Sequence, residues 1–317
     1  MSLLSRFRTP PSPTIDLGPE AAGRTWLITG ATNGIGRELA RMVAREGRRL
    51  ILTARDPARG EELAAELRGV GSHVDIVELD LARQDSVREA APAVRSLGTD
   101  IDVLVDNAGS VTRKRILTAD GFERMLAVNF LGPFAFTNLV ADLVSSRIVI
   151  TGSNIHRKGH IDSGDPHFEN RPWTFPAAYG QSKLADQLWA TALQVRLDAA
   201  ERGVDVLTAH PGWAHTNIQN ASGIGAVDSV LDFACGQVAM SAREGAMPLL
   251  EACAGEHPRL SYIGPGGLAD LWGSPAEQAP SELSRSQRAA DRLWELGVRE
   301  TGTDLDFREH SLDPPQG

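Results

Sequence analysis

The sequence predicts an α/β protein: a doubly wound parallel sheet in three α/β/α layers, folded as a single domain. Three observations predict it. Short β-rich runs alternate with longer helical patterns from residue 25 onward, the rhythm of a parallel sheet covered by helices on both faces. A glycine-rich turn separates the first such run from the helical pattern after it. No composition break or linker divides the chain, whose 317 residues suffice for one large domain with an ample core.

The elements follow in order. Residues 26–29 read as the first strand and 37–45 as the helix after the glycine turn. Strand 50–53 precedes helix 58–68, and strand 74–77 precedes helix 85–97. Strand 101–105 leads into a largely helical stretch over 122–143, strand 147–150 into helix 179–200, and a sixth strand covers 204–207. Right-handed crossovers make this order doubly wound. Residues 1–22 hold Pro10, Pro11, Pro13 and Pro19 with few apolar residues, and read as a flexible arm. The domain is expected over 23–300, with a tail over 301–317. Two segments interrupt the rhythm, at about 154–177 and about 213–243. Both follow strand ends, where open α/β sheets bind ligands, and are read as substrate loops.

The net charge of −9 argues against nucleic acid or an anionic membrane surface as partner, since both reward basic patches. Two cysteines, Cys235 and Cys253, fit no metal spacing and read as free thiols of a reducing compartment. The N-terminus lacks the apolar run of a signal peptide, and no stretch approaches the length of a membrane span. A cytoplasmic protein is expected.

The turn after the first strand is Thr29-Gly30-Ala31-Thr32-Asn33-Gly34-Ile35-Gly36. Glycines there allow a tight turn and bring backbone N–H groups, together with a helix N-terminus, against a pyrophosphate. Gly30, Thr32, Asn33, Gly34, Ile35 and Gly36 are the candidate contacts. The second strand ends in Ala54-Arg55-Asp56. Arg55, with Arg37 assisting, points to a ribose 2′-phosphate and favours NADP(H), while Asp56 keeps NAD(H) as the alternative.

Tyr179 and Lys183 stand one helical turn apart, so a phenol and an ammonium share one face. At ~4 Å and an effective dielectric of ~20 their interaction is worth ~4 kcal/mol in favour of the phenolate. A tyrosine so placed can donate or accept a proton in general acid–base work. His156 and His160 share the same spacing, but Pro and Gly interrupt any helix there. A surface loop is expected rather than a metal site.

In this order the motifs resemble the short-chain dehydrogenase/reductase superfamily, over about residues 24–300, and the resemblance implies a Rossmann fold. Asp80-Leu81 stands where the family contacts adenine. Asp106-Asn107-Ala108-Gly109 looks like the family's Asn-Asn-Ala-Gly, with a departure at the first position. Asn129, in Val128-Asn129-Phe130, is similar to the family's catalytic asparagine, and Ser153 stands where the family keeps its catalytic serine. His210-Pro211-Gly212 follows the sixth strand, with Thr216 placed like a contact to the nicotinamide. The resemblance implies a catalytic set of Asn129, Ser153, Tyr179 and Lys183, with Asn107, Ala108, Gly109, Tyr179, Lys183, Pro211, Gly212 and Thr216 also facing the cofactor.

Ser153 and Tyr179 are 26 positions apart, about twice the separation in the smallest members. The retinol-dehydrogenase-like and protochlorophyllide-reductase-like branches carry a similar insertion. They imply a bulky apolar alcohol, ketone or aldehyde as substrate, or alternatively a conjugated carbon–carbon double bond. Trp213 and Phe233 are candidate substrate-lining residues. A non-catalytic NADP(H)-binding regulator is the rival reading. Homodimers or homotetramers of the family type are one expectation; a monomer, with the insertion and C-terminal helix covering the helix faces, is the other.

Overall fold

In the computed structural model, residues 23–212, 240–267 and 270–307 are described. The predicted arm, Trp213, Thr216, Phe233 and Cys235 lie outside them. The strands are β1 (Thr25–Ile28), β2 (Arg49–Ala54), β3 (His73–Glu78), β4 (Ile101–Asp106), β5 (Val144–Thr151), β6 (Asp205–Ala209), β7 (Tyr262–Pro265) and β8 (Pro275–Gln278). They form one sheet in the order β3-β2-β1-β4-β5-β6-β7-β8. All pairings are parallel except β7 with β8. β1 is buried at all four positions, as expected of a strand covered on both faces. Its register sets Trp26 beside Leu50 on one side and Val103 on the other.

Two apolar layers flank the sheet. On one face lie α1 (Gly34–Val43), α2 (Pro57–Arg68) and α7 (Ala242–Ala254), the last with the buried free thiol Cys253. On the other lie α3 (Gln84–Ser96), α5 (Gly132–Val140), α6 (Phe175–Ala199) and α8 (Gln287–Thr301). A short α4 (Arg124–Leu126) enters α5 through a π-turn over Ala127–Leu131. The run Arg124–Leu143 corrects one expectation. It has the length and composition of a membrane span, with mean hydropathy 1.3, yet 78% of it is buried inside the fold. Its apolar character is that of a helix packed on all sides.

α6 begins four residues earlier than the sequence pattern suggests. Thr174 caps it by accepting the N–H of Ala177, and a proline stands in its first turn, two start signals that outweigh the polar flank. α8 packs across α5 and α6. The Trp294 ring meets Phe134 edge-on at 4.8 Å, and the Arg196 guanidinium lies 4.1 Å over its face. Packing continues past residue 300, with Leu305 and Phe307 against the same core.

Trp294 is 4% exposed, so Trp294→Ala is expected to cost about 3–5 kcal/mol in urea unfolding. A loss below ~1 kcal/mol would show that α8 is not tied to the core.

Candidate active site

The site forms where the strand order reverses, at the carboxyl ends of β1 and β4, the ligand crevice of open α/β sheets. Thr29 Oγ1 donates to the Val105 carbonyl at 3.2 Å and accepts the N–H groups of Asn107 at 3.0 Å and Ala108 at 3.1 Å. Asn107 Nδ2 returns to the carbonyls of Thr29 at 2.9 Å and Gly30 at 3.3 Å. These bonds clamp the glycine turn to β4. Gly30 has φ +65°, and a Cβ there would lie 2.8 Å from the Ala108 Cα. A Cβ on Gly36 would overlap the Asn107 amide and the Gly30 carbonyl. Asn33 Oδ1 accepts the Gly34 N–H at 2.8 Å, which starts α1 with its N-terminus at the crevice.

A cleft of about 410 Å³ runs from this turn. Gly30, Thr32, Asn33, Gly34, Ile35 and Gly36 line one side, with Arg55, Asp80 and Leu81 at one end. Asn107, Ala108, Gly109, Asn129, Tyr179, Lys183 and Pro211 line the remainder. Arg37 and Gly212 are not among the lining residues. Arg37 instead pairs with Glu66 at 3.6 Å. Asp56 caps α2 by accepting the Ala58 N–H at 3.1 Å, so of the neighbouring pair only Arg55 faces the cleft. The residues fit a dinucleotide: backbone bared by glycine, a helix N-terminus, a guanidinium at one end and an ammonium at the other.

Lys183 is 6% exposed. Its Nζ donates to the Thr151 carbonyl and to Asp186 Oδ2, each at 2.8 Å. Burial works against the ammonium, but the negative charge of Asp186 and the field of Tyr179 outweigh it, so the Lys183 pKa is raised. Asp186 is itself pushed up to about 7 by burial, against the pull of Lys183. Asp106, the departure from the family motif, is buried and accepts from Thr137 Oγ1 at 2.9 Å. Burial raises it to about 8.

Asn129 sits within the π-turn, a feature that recurs at functional sites. Its Oδ1 accepts the Ser110 N–H at 2.7 Å and its Nδ2 donates to Ser182 Oγ at 2.9 Å. Ser153 lies two residues past β5, and its Oγ caps the following turn by accepting the Ile155 N–H at 3.5 Å. It stands beside the cleft-lining Gly152 without lining the cleft itself. His210 stays neutral because burial lowers its pKa to about 4. Its Nδ1 accepts the Gly212 N–H at 3.2 Å and its Nε2 meets Gln278 Oε1 at 2.9 Å, which fixes the turn that carries Pro211.

His156 corrects the surface-loop expectation. It is 1% exposed, with Nδ1 against the Ser153 carbonyl at 2.7 Å and Nε2 accepting the Ser281 N–H at 3.1 Å. The chain after β8 covers it, a contact 125 residues distant that local spacing does not encode. Among the described residues no cluster of metal-ligating side chains occurs. Three further residues escaped the sequence reading. Phe175 stacks on Tyr179 with ring centroids 5.6 Å apart and planes at 14°, Arg124 lines the cleft, and Asp186 holds Lys183. Phe175 and Asp186 lie four residues before Tyr179 and three after Lys183, a helical stripe that was there to be read.

Residues 24–224 match the family model described as short chain dehydrogenase. The chain belongs to the short-chain dehydrogenase family. It is 38% identical to mouse polyprenol dehydrogenase over 294 residues, 90% of this chain and 85% of that one. It is 39% identical to human retinol dehydrogenase 13 over 208 residues, 64% of this chain and 62% of that one. A crystal structure of an uncharacterised protein from Mycobacterium paratuberculosis superposes with a TM-score of 0.78 at 35% identity, covering 94% of this chain and all of that one. This short-chain dehydrogenase is therefore an oxidoreductase of the retinol-dehydrogenase-like branch, a family that binds nicotinamide cofactors.

Since Gly36 has no room for a methyl group, Gly36→Ala is expected to weaken nicotinamide cofactor binding tenfold or more, a loss of about 1.4 kcal/mol. Fluorescence titration measures it, and unchanged affinity would show that the turn does not touch the cofactor.

Proposed function

We propose that this short-chain dehydrogenase transfers a hydride between NADP(H) and a bulky apolar alcohol, ketone or aldehyde, with Tyr179 as general acid and base. One observation carries the reading: a buried ammonium at Lys183 lies one turn from Tyr179, and both face the cleft that begins at the glycine turn. Arg55, left facing the cleft while Asp56 caps α2, supports NADP(H) over NAD(H). The substrate class rests on the surroundings of Tyr179. Phe175 is 39% exposed while stacked on the phenol, and Val111 and Trp173 join Tyr179 in one apolar cluster. The names polyprenol dehydrogenase and retinol dehydrogenase 13, carried by two relatives, agree with such a substrate.

A bound nicotinamide would supply or take up the hydride. Tyr179 gives its proton to the substrate oxygen in reduction and recovers one in oxidation. Lys183 stabilises the phenolate by charge and is placed to hold the nicotinamide ribose. Ser153, in the turn after β5, hydrogen-bonds the substrate oxygen and steadies its developing charge. Asn129, its amide committed to Ser110 and Ser182, fixes the helix against the β4 turn, so any proton path past it uses its main chain.

Two measurements test this. Apoprotein titrated with NADPH and NADH is expected to bind NADPH at least tenfold tighter, and Arg55→Ala is expected to remove most of that preference. Equal binding of both by the wild type would sink the NADP(H) assignment. Tyr179→Phe is expected to lower kcat on apolar alcohols by about 10²–10⁴, with cofactor affinity nearly unchanged. Retained turnover in that variant would require another acid.

A further inference from the structure

Lys183 keeps its charge although it is buried, and it does so with a partner that a Tyr-x-x-x-Lys pair does not by itself supply. Asp186 Oδ2 lies 2.8 Å from Nζ, with the two side chains 1% and 7% exposed respectively. Tyr179, Lys183 and Asp186 fall at spacings of four and three, so they form one stripe along α6. Asp186 Oδ1 is buried and has no hydrogen-bond partner among the described residues, and the same holds for Asp106 Oδ1 and Thr151 Oγ1 beside it. A lone buried ammonium sheds its proton. An ionised carboxylate against it preserves the charge but offsets part of the field felt further along the helix.

Building on the hydride-transfer reading above, we propose that Asp186 is a positioning residue, the counter-ion that holds Lys183 in place and sets how much positive charge it presents to Tyr179. The groups acting on this pair can be named. On Lys183 they are Asp186 and Tyr179, both from α6. Asp106 of β4 faces Asp186 and feels its charge, and β5 contributes the neutral Thr151 carbonyl. Tyr262 of β7 interacts with Tyr179, and Arg157 of the turn after β5 interacts with Tyr262. Removing the carboxylate has two opposed consequences. Lys183 becomes easier to deprotonate, while for as long as it stays protonated its charge reaches Tyr179 uncompensated.

The chain has only three lysines, Lys114, Lys158 and Lys183, and the first two are exposed. Protein labelled with ¹³C at lysine Cε therefore gives three signals that can be followed with pH. In the wild type the Lys183 signal is expected to stay in its charged position at the pH where a lysine in water titrates, ~10.4. In Asp186→Asn its midpoint is expected to fall by one pH unit or more. A wild-type Lys183 midpoint below that of a lysine in water, or the same midpoint in both proteins, overturns the proposal. The wild-type titration decides the point even where the variant does not fold.

The kinetic arm reads the pH profile of kcat/KM for alcohol oxidation. Its acid limb is expected to move about one pH unit lower in Asp186→Asn, the effect of one charge ~10 Å along the helix at an effective dielectric of ~20. Activity should also fall earlier on the alkaline side, as Lys183 loses its proton. Profiles that superimpose in two active proteins overturn the effect on Tyr179. A wild type that oxidises nothing counts against the hydride-transfer reading instead, and the lysine titration still decides whether Asp186 holds Lys183.

Discussion

The close approach of the glycine turn to the end of β4 is the constraint on which the rest of the site depends. Thr29 uses its hydroxyl on three backbone groups of the neighbouring strand and turn, and Asn107 answers with two bonds to the carbonyls of the turn. That reciprocal clamp leaves no room for a side chain at Gly30 or Gly36, and Ala108 must also be small. It aims the N-terminus of α1 into the crevice and fixes the depth of the cleft floor. The positions of Asn129, Tyr179 and Lys183 follow, because their helices pack on the face of the sheet whose edge this clamp defines.

A second layer of constraint comes from the C-terminal helix and the insertion after β5. The apolar faces of α5 and α6 are covered within the chain by α8, through Trp294 on Phe134 and a Gly297 that packs directly on the same ring. The insertion is fastened to this arrangement by polar bonds. Glu123 is fully buried, accepts from Trp173 Nε1 at 3.3 Å and gives its own N–H to His167 Nδ1 at 3.1 Å. His167 Nε2 reaches Glu300 of α8 at 3.2 Å, with Phe122 stacked on its ring. The segment that leads into α6, and so delivers Phe175 to Tyr179, is thereby held from both sides.

Much of this was legible in the sequence. The alternation of runs up to 204–207 gives six strands in the observed order, because fully buried parallel strands and their helices carry strong apolar patterns. The glycine turn and the Tyr179–Lys183 spacing were readable because each is a pattern within a few residues. Asn107 was read instead from the family resemblance, since its bonds reach 77 and 78 positions back to Gly30 and Thr29. β8 was not. Its four residues, Pro-Ala-Glu-Gln, carry no apolar alternation, and its place depends on pairing with β7. The start of α6 was missed because the pattern was read from the tyrosine rather than from the Thr174 cap. His156 was misjudged because its partners come from residue 281 and from Tyr262, contacts made only by the tertiary fold.

The proposed reaction asks one face of α6 to serve apolar recognition and proton chemistry together. Phe175, Tyr179, Lys183 and Asp186 follow one another down the stripe, from an aromatic ring 39% exposed to a carboxylate 1% exposed. Polarity thus increases inward, opposite to the usual order of a protein surface. In the proposed reaction an apolar substrate would meet apolar rings first, while Lys183 and Asp186 are already buried. In that medium each charge acts over a longer distance than in water. On the proposed reading, the identity of the residue at 186 bears on the phenol at 179 even though two helical turns separate them, and a neutral side chain at 186 would make a differently tuned enzyme on the same frame.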